Sequence, residues 1–154
     1  MTRRLAMVLL IAGALAGCTL KDEDGVREDG TIAAPPDVAA PPADAIRTAS
    51  GLASKVLRLG AGSQHPTPRS TVVVHYTGWT TDAEMFDSSV ASGRPMETRL
   101  DGMIEGWIEG LQLMVAGEKR RFWIPGHLAY DHLPPEEGYP RGMLVFDIDL
   151  IAIR

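Results

Sequence analysis

The chain has 154 residues, 45% of them hydrophobic, with 15 Lys and Arg against 20 Asp and Glu for a net charge of −5. That length fits one domain of ordinary size, and the acidic balance excludes nucleic acid as a main partner, because phosphate contacts need clustered Lys and Arg. The single cysteine, Cys18, excludes an internal disulfide framework and any multi-cysteine zinc or iron–sulfur site.

Arg3 and Arg4 precede an apolar run from Leu5 to Gly17. Thirteen residues at 1.5 Å each reach only about 20 Å, short of a roughly 30 Å hydrocarbon core, so the run reads as a signal peptide over 1–17 and not as a membrane helix. It ends Leu15-Ala16-Gly17-Cys18, which resembles a bacterial lipobox, with Cys18 the lipidated residue and the attachment to a membrane. Acyl chains would hold it there, each buried methylene contributing roughly 0.8 kcal/mol. Thr19 follows the cysteine where inner-membrane lipoproteins typically carry Asp, so the periplasmic face of an outer membrane is the expected location.

Residues 19–50 carry seven acids, three bases and four prolines and no aromatic residue. A segment that cannot bury apolar surface cannot offset its ordering entropy, so the expectation over 18–50 is a lipidated cysteine and a disordered Pro/Ala/acidic tether. The domain is expected over 51–154, where 13 acids face 10 bases and charge steering says little about a ligand.

Within that domain, Leu52–Leu59 reads as a first strand, and Gly60, Gly62, Pro66 and Pro68 mark a long turn. Thr71–Thr77 is rich in β-branched and aromatic residues, the composition of a second strand. Ile104, Trp107, Ile108, Leu111 and Val115 draw one apolar helical stripe, with Asp101 as N-cap and Gly117 as stop. Gly106 and Gly110 inside it each cost roughly 1 kcal/mol against Ala, so this helix must rely on packing. Lys119–Ile124 supplies a further strand, closed by Pro125-Gly126. Phe146, Ile148 and Leu150 alternate with Asp147 and Asp149 in a half-buried last strand. The simplest arrangement is an α+β domain, an antiparallel sheet curled around one short helix.

The usual catalytic templates lack their parts. His127 and His132 are five apart, not the four of a helical metal pair, and no His-Glu-x-x-His occurs, so no metal is expected. Ser88 and Ser89 sit in nothing like Gly-x-Ser-x-Gly, and Gly60-Ala61-Gly62 leads toward Pro66 and a strand, not a phosphate-binding helix. The features left over are aromatic.

Four segments in order, Val74-His75-Tyr76-Thr77-Gly78-Trp79, Phe86-Asp87-Ser88-Ser89, Met103 to Leu111, and Leu144-Val145-Phe146-Asp147-Ile148, with Ala129-Tyr130 before the last, resemble the FKBP-type peptidyl-prolyl cis-trans isomerases over about residues 50–154. The resemblance implies that family's fold, rotation about X–Pro bonds as the activity, no cofactor, proline-containing polypeptides as partners and macrolides as inhibitors. It also implies a pocket in which Trp107 is the floor and Tyr76, Phe86 and Phe146 are apolar walls. Met103 and Ile104 would meet the bound peptide, Tyr130 would aim its hydroxyl at the carbonyl beside proline, and Asp87 would edge the pocket. Met96 stands where some members carry an aromatic wall, and Tyr139 is an expected extra rim contact. Leu128 and Asp131 depart from the family's usual Tyr and Gly, and the loop 131–142 is unlike that of the best-known members. Two readings follow, an isomerase assisting exported proteins at a membrane and a non-catalytic module or holdase that docks proline segments in the same pocket.

Overall fold

The β-branched run Thr71–Thr80 and the alternating run Leu144–Ile153 form the two longest strands, and they pair antiparallel from Val72↔Ile153 to Thr80↔Leu144. Around them the computed structural model, which describes residues 25–154, builds one sheet; the expected signal peptide, Cys18 and residues 19–24 lie outside the described residues. In chain order the elements are β1 (Ile46–Arg47), β2 (Ala53–Arg58), β3 (Thr71–Thr80), β4 (Met85–Ser88), β5 (Met96–Arg99), α1 (Glu105–Leu111), β6 (Lys119–Ile124) and β7 (Leu144–Ile153). The sheet order is β1-β2-β6-β7-β3-β4, every pairing is antiparallel, and β5 pairs with the first half of β3. The fold is the expected α+β one, an antiparallel sheet around one short helix.

Alternation sorts the strands into two faces. Val72 and Val74 of β3, Phe122 and Ile124 of β6, and Phe146, Ile148 and Leu150 of β7 join Trp107 and Leu111 of α1 in the main core. Ala53, Trp79, Trp123 and Val145 face the other way and form a second apolar cluster. Between them on that outer face, Arg121 grips Asp147 through Nε and Nη2 at 2.6 and 2.8 Å, which accounts for the polar side of β7.

The helix is shorter than its stripe. Asp101 lies in a separate 3-10 turn, Leu100–Gly102, and Ile104 occupies the N-cap in extended conformation. At the other end the Gln112 side-chain amide donates to the Ile108 carbonyl at 2.7 Å, and tight turns replace the helix before Gly117. Only Trp107 and Leu111 of the stripe are buried; Ile104, Ile108 and Val115 are partly exposed. The glycines explain how the helix packs. A Cβ on Gly106 would lie 2.3 Å from Ile124 Cγ2, and one on Gly110 2.8 Å from Phe122 Cε1, so both are needed for α1 to approach β6 this closely.

The expected tether does not run disordered to residue 50. From Gly25 onward it packs on the outer face of the sheet, with Val38 buried and Ile32, Ala34 and Ala45 against the second cluster. The indole N–H groups of Trp79 and Trp123 donate to the carbonyls of Ile32 and Asp37 at 3.0 and 2.9 Å, and Arg121 Nη1 binds the Asp37 carboxylate. Its own composition cannot make a core, but the sheet supplies the two tryptophans that the segment lacks.

Candidate active site

Five chain segments converge at one end of the inner face. Tyr76 comes from β3, Phe86 and Asp87 from β4, Met103 and Ile104 from the approach to α1, Trp107 from its first turn, Tyr130 from the chain after β6 and Phe146 from β7, and together they line a shallow hollow of about 50 Å³. Trp107 is its floor, 1% exposed, with the rings of Tyr76 and Phe146 standing edge-on to it at centroid distances of 5.2 and 5.5 Å. Phe86 meets Phe146 edge-on at 5.4 Å. Edge-to-face packing of this kind holds rings at fixed angles, so the hollow is a preformed mould.

Gly78 lets the walls approach. It pairs with Asp87 on β4 and with Phe146 on β7, and a Cβ there would fall 2.6 Å from Phe86 Cζ and 2.8 Å from Phe146 Cε1. Reading the residues for chemistry missed it; the available signal was a glycine inside a strand otherwise rich in bulky residues, which marks a close approach.

Polar groups rim the hollow unevenly. The Tyr76 hydroxyl donates to Asp87 Oδ2 at 2.6 Å, which binds β4 to β3 at the mouth. Behind them the buried Ser89 hydroxyl accepts the Tyr76 backbone N–H at 2.8 Å and lies 3.0 Å from His75 Nδ1. Tyr130 is half-buried, and among the described residues its hydroxyl has no hydrogen-bond partner. Burial, and then the hydrogen bond to Asp87, push the Tyr76 phenol far above its ordinary range. Burial, followed by Tyr139 and Asp87, raises Tyr130 as well. Both are therefore neutral donors at physiological pH. The Trp107 indole N–H is buried without a partner among the described residues.

Two expected contacts are elsewhere. Met96 of β5 pairs with Val74 of β3, packs on the main core and does not line the hollow, because Val74 lies one inward-facing position before Tyr76. Tyr139 also stands off the hollow and stacks on Tyr130 instead. A larger cavity of about 390 Å³ opens on the outer face between His75, Trp79, Lys119, Asp147 and Asp149. Its carboxylates are already taken, Asp149 by Arg58 and Asp147 by Arg121, so it presents neutralised charge, not a reactive constellation.

The hollow thus brings an aromatic floor, aromatic walls and the Tyr130 phenol together at one end of the sheet. The model of the family described as FKBP-type peptidyl-prolyl cis-trans isomerase matches residues 62–151. This chain belongs to that family.

The FKBP domain is 43% identical over 107 residues to the FKBP-type peptidyl-prolyl cis-trans isomerase FkpA of Aeromonas hydrophila, covering 70% of this chain and 40% of that protein. Among solved structures it resembles the crystal structure of FkpA from Escherichia coli, with a TM-score of 0.66 and 37% identity over 73% of this chain and 53% of that one. AtFKBP13 aligns with a TM-score of 0.63 and 30% identity, covering 72% of this chain and 99% of AtFKBP13. The chain thus spans about two fifths of the Aeromonas hydrophila FkpA and about half of the Escherichia coli FkpA chain.

Proposed function

We propose that this FKBP domain accelerates cis–trans rotation about X–Pro bonds in exported polypeptides, held at a membrane through lipid on Cys18. The observation that carries the catalytic part is the small hollow walled by Tyr76, Phe86 and Phe146 with the buried Trp107 as its floor. Rotation about the peptide bond breaks amide resonance, with a barrier of about 18–20 kcal/mol, and uncatalysed X–Pro exchange takes tens to hundreds of seconds. No bond is made or broken, so neither a nucleophile nor a proton relay is required. In the twisted state the amide loses charge separation. An apolar seat for the proline ring therefore favours that state over the planar, more polar ground state. Tyr76, Phe86, Trp107 and Phe146 form the seat, Met103 and Ile104 meet the peptide from the approach to α1, and Asp87 fixes the mouth through Tyr76. The Tyr130 hydroxyl donates to the carbonyl beside proline and holds it in rotated geometry. Macrolides that mimic the seated ring would compete for the hollow.

The Leu15-Ala16-Gly17-Cys18 run supports the anchor, and Thr19 supports the periplasmic face of an outer membrane. Catalysis is separated from docking by following the cis-to-trans conversion of a Leu-Pro tetrapeptide by protease coupling. The isomerase reading predicts exchange faster than buffer in proportion to protein, abolished by a macrolide. Exchange at the buffer rate would leave only a proline-binding module or holdase.

A further inference from the structure

Tyr139 is 46% exposed in the loop between β6 and β7, yet its ring lies parallel to that of Tyr130, with centroids 4.7 Å apart and an interplanar angle of 14°. The two phenols at the mouth are held differently. The Tyr76 hydroxyl is tied to Asp87, whereas Tyr130 has no hydrogen bond to its hydroxyl among the described residues, so its direction depends on what packs against its ring.

The loop is built to keep that packing in place. Arg141 Nη1 donates to the Tyr130 carbonyl at 2.9 Å and the Gly142 N–H donates to Asp131 Oδ1 at 2.8 Å, so the two ends of 131–142 are tied together at Tyr130. Asp131, where the family usually has Gly, is one of those ties. Between the ends, the 3-10 turn Pro135–Glu137 stops at Gly138 in left-handed conformation with φ 74°. Pro140 then restricts the Tyr139 backbone toward the extended region. Tyr139 is therefore aimed by backbone on both sides.

We propose that Tyr139 is a positioning residue: its ring, held by this closed loop, fixes the Tyr130 ring so that the Tyr130 hydroxyl points into the hollow. The proposal rests on the isomerase reading for its effect on rate, but not for the stack itself. A rotating carbonyl needs its donor in one place, and small misplacement of a catalytic group is costly. A rim contact to substrate would act separately from Tyr130; a positioning residue acts only through it.

The test combines steady-state kinetics on a Leu-Pro tetrapeptide with NMR of tyrosine rings in labelled protein, for the wild type, Tyr139→Ala, Tyr139→Phe, Tyr130→Phe and the double variant Tyr139→Ala/Tyr130→Phe. Tyr139→Ala is expected to lower kcat about fivefold with KM within about twofold of the wild type, and Tyr139→Phe, which keeps the stack, to restore kcat to within about twofold. In the Tyr130→Phe background the Tyr139→Ala change is expected to have almost no further effect, since coupled residues are not additive. The Tyr130 ring signals should move in Tyr139→Ala and stay in Tyr139→Phe. A raised KM with unchanged kcat, additive losses in the double variant, or Tyr130 signals indifferent to Tyr139→Ala would each overturn the proposal. A wild type that does not isomerise the peptide refutes the isomerase reading, and the ring signals then decide by themselves whether Tyr139 holds Tyr130.

Discussion

Tyr76 and Tyr130 bring two phenols to one apolar hollow, and their surroundings shift both in the same direction, upward, with burial the first cause in each case. An ordinary tyrosine titrates near pH 10. A raised value in the fold means that the folded state binds these protons more tightly than the unfolded chain does. Their contribution to stability is then complete below about pH 10 and is lost as pH rises through the folded values. No phenol should ionise in the working range, so kcat/KM should show no alkaline decline between about pH 6 and 9, and the urea midpoint should fall only above about pH 10. A decline in kcat/KM with a midpoint below about 9 that disappears in Tyr130→Phe would show that the phenol is not raised. The hollow's chemistry was legible at this scale because Trp107, Tyr130 and the Phe-Asp pair sit in recognisable surroundings. The support around them was not: Gly78 and Ser89 matter through cross-strand neighbours that no linear spacing reveals.

At the scale of elements, the long strands and the existence of the helix were legible, because β3 and β7 carry strand composition and Trp107 and Leu111 lie on one helical face. The extent of the helix was not. Its apolar stripe runs on past residue 111, but Ile104 turns to the hollow and Ile108 and Val115 are half-covered, so the stripe serves more than one structure. The short strands β4 and β5 were missed because Met85–Ser88 and Met96–Arg99 are too brief and mixed to show a period; pairing with β3 makes them strands. The helix also yields a sharp test. Gly106→Ala should gain about 1 kcal/mol from helix propensity. The new methyl would sit 2.3 Å from Ile124 Cγ2, however, and overpacking a core costs about 1–3 kcal/mol. The net expectation is a destabilisation of up to about 2 kcal/mol by urea unfolding, with poorer catalysis because Trp107 is the next residue. A stabilised Gly106→Ala protein would mean that α1 does not lie this close to β6.

At the scale of the whole molecule, the described residues form three layers: α1 with the hollow, the sheet, and the segment from Gly25 that covers the outer face. The third layer was hidden from the sequence because composition describes only what a segment brings with it. Ile32 and Val38 look stranded in a polar run until Trp79 and Trp123 are seen to receive them. The sheet thus has apolar packing on both faces, and the aromatic mould on the inner face rests on strands braced from behind. What this architecture delivers, on our account, is a dry seat for a proline ring, with the rim hydroxyl in a supporting part. The direct measurement is kcat/KM for X–Pro isomerisation in Trp107→Ala, Trp107→Leu and Tyr130→Phe, each first shown to be folded by circular dichroism. The account predicts losses of about a hundredfold for the floor variants and about tenfold for Tyr130→Phe; a larger loss on removing the hydroxyl than on removing the indole would contradict it.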